Sequence, residues 1–219
     1  MFIRLNRSLR WFPAIALTAV LPGCASTDPV SKAPTPRQDF QEYRRLVVSG
    51  IGQLDATLRA LDNLSAQANR DARPAYEAFA QAVQRLEVDS IKVREHTQAM
   101  RTRGDAYFEH WQEWLAESSN EGVRQRAAQH QEELKRSFEA VRAAAQQVRD
   151  GFRPFLTDVQ KLCAVLDQEP TLAHIDAQKN LILAADEKGR QVQESLERIL
   201  AEMNTMSALL RAPDATAKH

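Results

Sequence analysis

Two cysteines and five histidines are the side chains most able to do chemistry in this 219-residue chain. A di-iron carboxylate bundle needs a glutamate three residues before a histidine, so that both ligands share one helix face. The residues three before His96, His110, His130 and His174 are Val93, Tyr107, Ala127 and Thr171. His-Glu-x-x-His, Cys-x-x-Cys, Gly-x-x-x-x-Gly-Lys-Ser/Thr and Gly-x-Ser-x-Gly are all missing from the sequence. Zinc hydrolysis, thiol redox chemistry, phosphate cradling and an esterase elbow therefore have no residues to work with. The expectation is a protein that is not an enzyme and takes no cofactor and no metal. Cys163 falls within a helical pattern and reads as a buried core thiol. Cys24 is different, because it follows directly on a short apolar run and a glycine in "ALTAVLPGCAS", residues 16–26.

What precedes Cys24 explains it. Residues 1–10, "MFIRLNRSLR", carry Arg4, Arg7 and Arg10 and no acid, and residues 11–21, "WFPAIALTAVL", are almost wholly apolar. These are the n-region and h-region of a secretory signal. The apolar run is about half the ~20 residues that a spanning helix needs. Leu21-Pro22-Gly23-Cys24 resembles the lipobox of bacterial lipoproteins, with an aliphatic residue three before the cysteine and a small one directly before it. That resemblance implies cleavage before Cys24, with Leu21 and Gly23 as the signal-peptidase recognition residues. It also implies a thioether from Cys24 to diacylglycerol and acylation of the freed amine, a palmitate-type modification. Two or more acyl chains anchor a protein stably, at ~0.8 kcal/mol per buried methylene. Cys24 is followed by Ala25 and Ser26 rather than an aspartate, which by the same resemblance implies the outer membrane, facing the periplasm.

The rest of the chain must position whatever the anchor carries. Residues 24–36 form a tether, with Pro29, Pro34 and Pro36 among small polar residues, a composition that cannot bury apolar surface. Residues 211–219 read as a disordered tail. Residues 37–210 carry a sustained 3.5-residue apolar period. In the first segment it runs through Phe40, Tyr43, Val47, Gly50, Leu54, Thr57, Leu61 and Leu64. In the second it runs from Tyr76 and Phe79 through Ser90, Thr97 and Gly104 to Tyr107, Trp111 and Trp114. The third takes Ala127, His130, Leu134, Ser137 and Val141 onward to Leu166, and the fourth Leu172, Ile175, Lys179, Ile182, Asp186, Gly189 and Val192 onward to Leu210.

The breaks between segments have legible chemistry. Asp71 is the expected N-cap of the second segment, with Pro74 in its first turn. Ser118, Ser119 or Asn120 caps the third, and Thr171 caps the fourth after a stop at Glu169. Such short connections force antiparallel neighbours. The expected fold is all-α: an elongated antiparallel helical bundle, or coiled coil, of about four long helices. Gly151 and Pro154 predict a kink in the third segment, with a full break as the alternative. Exposed pairs such as Glu132 with Arg136 and Glu194 with Arg198 are expected to add ~0.3 kcal/mol each.

The most distinctive local stretch is "YFEHWQEWL", residues 107–115. Tyr107, Trp111 and Trp114 either pack the end of the bundle or form an interaction patch. The second turn returns the chain to the end nearest the membrane, where tryptophan is favoured among headgroups. Polar seam residues such as Ser90, Thr97 and Asp186 fix register or line a wet groove.

Together the lipobox, "YFEHWQEWL", the following Ser-Asn turn and "FRPFLTDVQKL" at residues 152–162 resemble a family of bacterial envelope lipoproteins known as domain of unknown function 2959. The resemblance implies a helical envelope lipoprotein and supplies no activity and no catalytic residues. Balanced charge, 29 basic against 29 acidic side chains, argues against a nucleic-acid partner. The functional expectation is an outer-membrane-anchored periplasmic lipoprotein with a structural or adaptor role. It would contact the membrane through its N-terminal lipid and meet a periplasmic protein or itself. The alternative is a module that binds an apolar or lipid ligand between helices loosened at Gly50, Gly104 and Gly189.

Overall fold

The computed structural model describes residues 36–67 and 71–211, all of which belong to one compact unit, Pro34–His219. Five helices follow one another: α1 (Pro36–Ser65), α2 (Arg73–Glu117), α3 (Glu121–Leu166), α4 (Leu172–Ala177) and α5 (Lys179–Arg211), with no strand among the described residues. The protein is an all-α bundle. The expected leader, Cys24, the tether through residue 35 and the tail from residue 212 lie outside the described residues. α5 continues through Arg211, one residue beyond the expected end of the bundle.

Interhelical bonds fix the topology. Between α1 and α2, Asp39 pairs with Arg103 at 2.5 Å, Tyr43 bonds Thr97 at 3.2 Å, and Gln53 donates to the Ala82 carbonyl at 3.1 Å. One number rises as the other falls, so the helices are antiparallel. The same holds between α2 and α3, where Gln160 donates to Glu87 at 2.7 Å and Arg142 to Asp105 at 3.1 Å. α3 and α5 are joined by Lys188 to Asp158 at 2.5 Å and Arg198 to Gln147 at 3.1 Å. Arg44 on α1 donates to Asn204 on α5 at 3.1 Å. α1 therefore neighbours α2 and α5, and α3 closes the square, in an up-down-up-down order.

The apolar period becomes the core. Phe40, Tyr43, Val47, Leu54, Thr57, Leu61 and Leu64 of α1 are all buried, as are Phe155, Val159, Leu162 and Leu166 of α3 and Val192, Leu196, Ile199, Met203 and Met206 of α5. Each Val, Leu, Ile, Phe or Met among them contributes roughly 1.5–3 kcal/mol when fully withdrawn from water. The polar seam residue Thr57 is satisfied inside the core by donating to the Gln53 carbonyl at 2.8 Å, the i−4 pattern of a threonine within a helix.

Several local expectations need correction. α2 begins one residue late: Ala72, not Asp71, is its N-cap, while Asp71 accepts from the Arg73 amide at 3.1 Å. Ala72 is fully buried, and that burial sets the entry of the chain. α3 ends at Leu166 rather than Glu169, with Asp167 as its C-cap. The fourth segment is interrupted: α4 lasts six residues, capped by Thr171, and α5 restarts after Gln178. Lys179, expected on the seam, is exposed in the first turn of α5. Arg198 bonds Gln147 on the neighbouring helix instead of Glu194 on its own.

α3 runs unbroken through Pro154. The missing proline N–H leaves the carbonyl of Asp150 without its helical donor. Asp150 and Pro154 both lie on the exposed face, where water can replace that donor, while Phe155 and Val159 beside them are completely buried. Burial of the opposite face outweighs a proline cost of ~3 kcal/mol.

Candidate functional site

The four helices are unequal: α1 and α5 have 30 and 33 residues, α2 and α3 have 45 and 46. Because Asp39 lies opposite Arg103, α1 begins near the level of Tyr107. α2 continues for about ten residues beyond that level, ~15 Å at 1.5 Å per residue. α5 ends correspondingly, with Met206 and Leu210 beside Leu134 and Phe138. The end of α2 and the start of α3 thus project as a two-helix arm past the four-helix body. The arm leaves from the end at which α1 begins.

The root of the arm is tightly keyed. The Phe138 ring lies directly against Gly104, where any β-carbon would clash with it. Phe108 stacks at a tilt on Phe138, 5.5 Å between centroids, and the Arg142 guanidinium sits 5.8 Å from the Phe138 centroid. Arg142 also holds Asp105 and Glu139 at 3.1 and 2.9 Å. The buried amide of Gln131 donates to the Phe108 carbonyl at 3.2 Å. A cavity of about 30 Å³, room for one water, remains at this level among Asp39, Phe40, Gly104, Tyr107, Phe138 and Met206.

Tyr107 and Trp111 are half-buried and meet edge to face at 5.5 Å, and Trp111 packs on the His130 ring at 5.7 Å. Trp114 is 44% exposed, against the expectation that it belongs to the same buried seam. Phe108, which the seam passed over, is buried instead. The physical cause is the end of α1. Tyr107, Trp111 and Trp114 continue the face of α2 that α1 covers further along; beyond the start of α1 only α3 remains, so the buried stripe rotates toward Phe108. Asn120 caps α3 at the tip, accepting from the Val123 amide at 3.1 Å. Of the other sequence-derived site residues, Leu21, Gly23 and Cys24 lie outside the described residues.

Elsewhere the reactive groups are held quiet. Burial, with Glu87 and Asp167 nearby, pushes the Cys163 thiol up to about 11, which makes it a poor nucleophile at neutral pH. Burial and its bond to Asp167 push the Tyr76 phenol up to about 12. That phenol links α2 to the end of α3, its one O–H shared between the Cys163 carbonyl and the carboxylate of the C-cap Asp167, at 3.1 and 3.0 Å. Among the described residues no group of three His, Cys, Asp or Glu is arranged to hold a metal, and no helix is long and apolar enough to cross a membrane.

The region from Tyr43 to Leu210, nearly the whole bundle, matches the family model described as a protein of unknown function, DUF2959. The chain belongs to the DUF2959 family. No curated protein and no solved structure matches it. The DUF2959 match spans the arm, the Gly104–Phe138 contact and the Tyr76 link alike, so membership attaches to the helical body as a whole.

Proposed function

We propose that this DUF2959 chain is an outer-membrane lipoprotein, anchored through acyl groups on Cys24, that presents its helical bundle to the periplasm in a structural or adaptor role. The observation that carries the reading is the order of features at the N-terminus: three arginines, an apolar run too short to span, then Leu21-Pro22-Gly23-Cys24. Ala25 and Ser26 in place of an aspartate support the outer membrane. Loss of the first 23 residues removes three arginines and leaves a mildly acidic chain.

The adaptor role is supported by how the core is spent. At two of the three seam glycines the space between helices is taken up from within: Phe138 fills it at Gly104, and Leu58 and Phe155 fill it at Gly189, while a β-carbon at Gly50 would meet nothing within 4 Å. The presented surface is charged, with pairs along single helices such as Asp55–Arg59 and Asp186–Arg190, a surface suited to contact with another macromolecule. Mass analysis of the N-terminal peptide from membranes tests the anchor; an unmodified thiol on Cys24 refutes it. Crosslinking in intact cells tests the adaptor role, and its expected product is a defined adduct of the bundle with one periplasmic protein or with a second copy. A bundle that gives no such adduct is not an adaptor.

A further inference from the structure

The arm leaves the bundle from the end at which α1, the first described helix, begins. α1 begins at Pro36, and from its level the arm extends ~15 Å further. The chain between Cys24 and Pro36, about twelve residues, spans at most ~40 Å when fully extended. A membrane holding Cys24 is therefore never beyond that span from the start of α1, and the tip of the arm covers a good part of the distance. The face that the arm turns outward there is aromatic. Trp114 is 44% exposed, and Tyr107 and Trp111 are half-buried beside it. They recur at three- and four-residue spacing, so they lie along one side of α2. Tryptophan and tyrosine combine a large apolar ring with a polar edge, the composition that favours the headgroup layer of a bilayer.

We infer that the arm's aromatic side, led by Trp114, lies in the headgroup layer of the bilayer that holds Cys24, so that the bundle stands on the membrane through a lipid and a protein foot. This rests on the anchoring proposed above. The lipid class follows from charge: residues 107–126 carry four glutamates, Glu109, Glu113, Glu117 and Glu121, against Arg124 and Arg126. That balance suits a zwitterionic surface such as phosphatidylethanolamine and disfavours a strongly anionic one. A protein partner on the same side is the competing occupant. The membrane is favoured because chain connectivity already brings it to this end of the bundle.

The test has a clean reporter. Once residues 1–23 are removed, Trp111 and Trp114 are the two tryptophans left, and both are in the arm. The processed lipoprotein, purified from membranes, is placed in phosphatidylethanolamine vesicles with and without bromine on the upper acyl carbons. Flotation and mass analysis report the anchor; fluorescence reports the arm. The expected result is emission at shorter wavelength and loss of intensity with brominated lipid, most of it abolished in Trp114→Phe. A protein that floats and carries acyl groups on Cys24, yet shows neither shift nor quenching, overturns the inference and leaves the anchor standing. A protein without acyl groups removes both. A photo-crosslinker at position 114 that captures one defined protein in cells, and no lipid, assigns the face to that protein instead.

Discussion

The ring of Phe138 on α3 occupies the space in which a β-carbon on Gly104 of α2 would stand. Close approach of two long helices at the root of the arm depends on that fit. Gly104→Ala would gain ~1 kcal/mol of helix propensity but force the ring aside in a keyed position, an overpacking cost of ~1–3 kcal/mol. The expected net result is destabilisation in denaturant titration. Phe138→Leu in the Gly104→Ala background should recover part of it, because the pair couples through contact. An additive double mutant would show that the ring and the glycine do not share this space.

Gly52 provides the opposite case. It is exposed on α1, and a β-carbon there meets nothing within 4 Å. Gly52→Ala should stabilise the bundle by up to ~1 kcal/mol through helix propensity alone, readable as a higher midpoint with an unchanged denaturant slope.

Tyr76 ties the start of α2 to the end of α3. Tyr76→Phe removes the bonds to Asp167 and the Cys163 carbonyl, an expected loss of ~0.5–1.5 kcal/mol at neutral pH. The phenol is raised from 10.0 to about 12 in the folded chain, so the protonated form is the one that folding favours. Its contribution is complete below pH 10 and is lost as pH rises through about 12. Wild type should therefore lose stability faster than Tyr76→Phe across that window. Parallel alkaline denaturation curves for the two proteins would contradict this assignment.

Cys163 should be slow to alkylate. A thiol raised from 9.0 to about 11 holds roughly a hundredfold less thiolate at pH 8 than a free one. In a chain carrying Cys24→Ser, labelling of Cys163 should lag a model thiol by about that factor and catch up in denaturant. Rapid labelling of the folded protein would place the thiol outside its described surroundings.

Asn120→Ala removes the cap that holds the Val123 amide, at a cost of ~1 kcal/mol. Because each helix of the arm has one partner helix where each helix of the body has two, the loss should appear as faster amide exchange near residues 115–130, with little change at Leu162 or Ile199. A uniform change throughout would mean that the arm and body unfold as one unit.

Much of this architecture was legible beforehand for a simple reason. A helix break and an apolar period are local properties, written in neighbouring residues, and Asn120 and Thr171 act as the caps that their side chains suit. The start of α2 was misplaced by one residue because Ala72, which has no capping group, is fixed by burial. The interruption at Gln178 was hidden because Ile175 and Ile182 keep their spacing across it, both buried.

By itself the sequence determined that the chain is helical, where its helices turn, and which stripe on each is apolar, since those depend on side chains three and four residues apart. Only the tertiary structure decided which parts of the stripes are covered. Coverage depends on the length and register of other helices: α1 starts opposite Tyr107, so Phe108 is buried by α3 while Trp114, with no third helix beside it, stays in solvent.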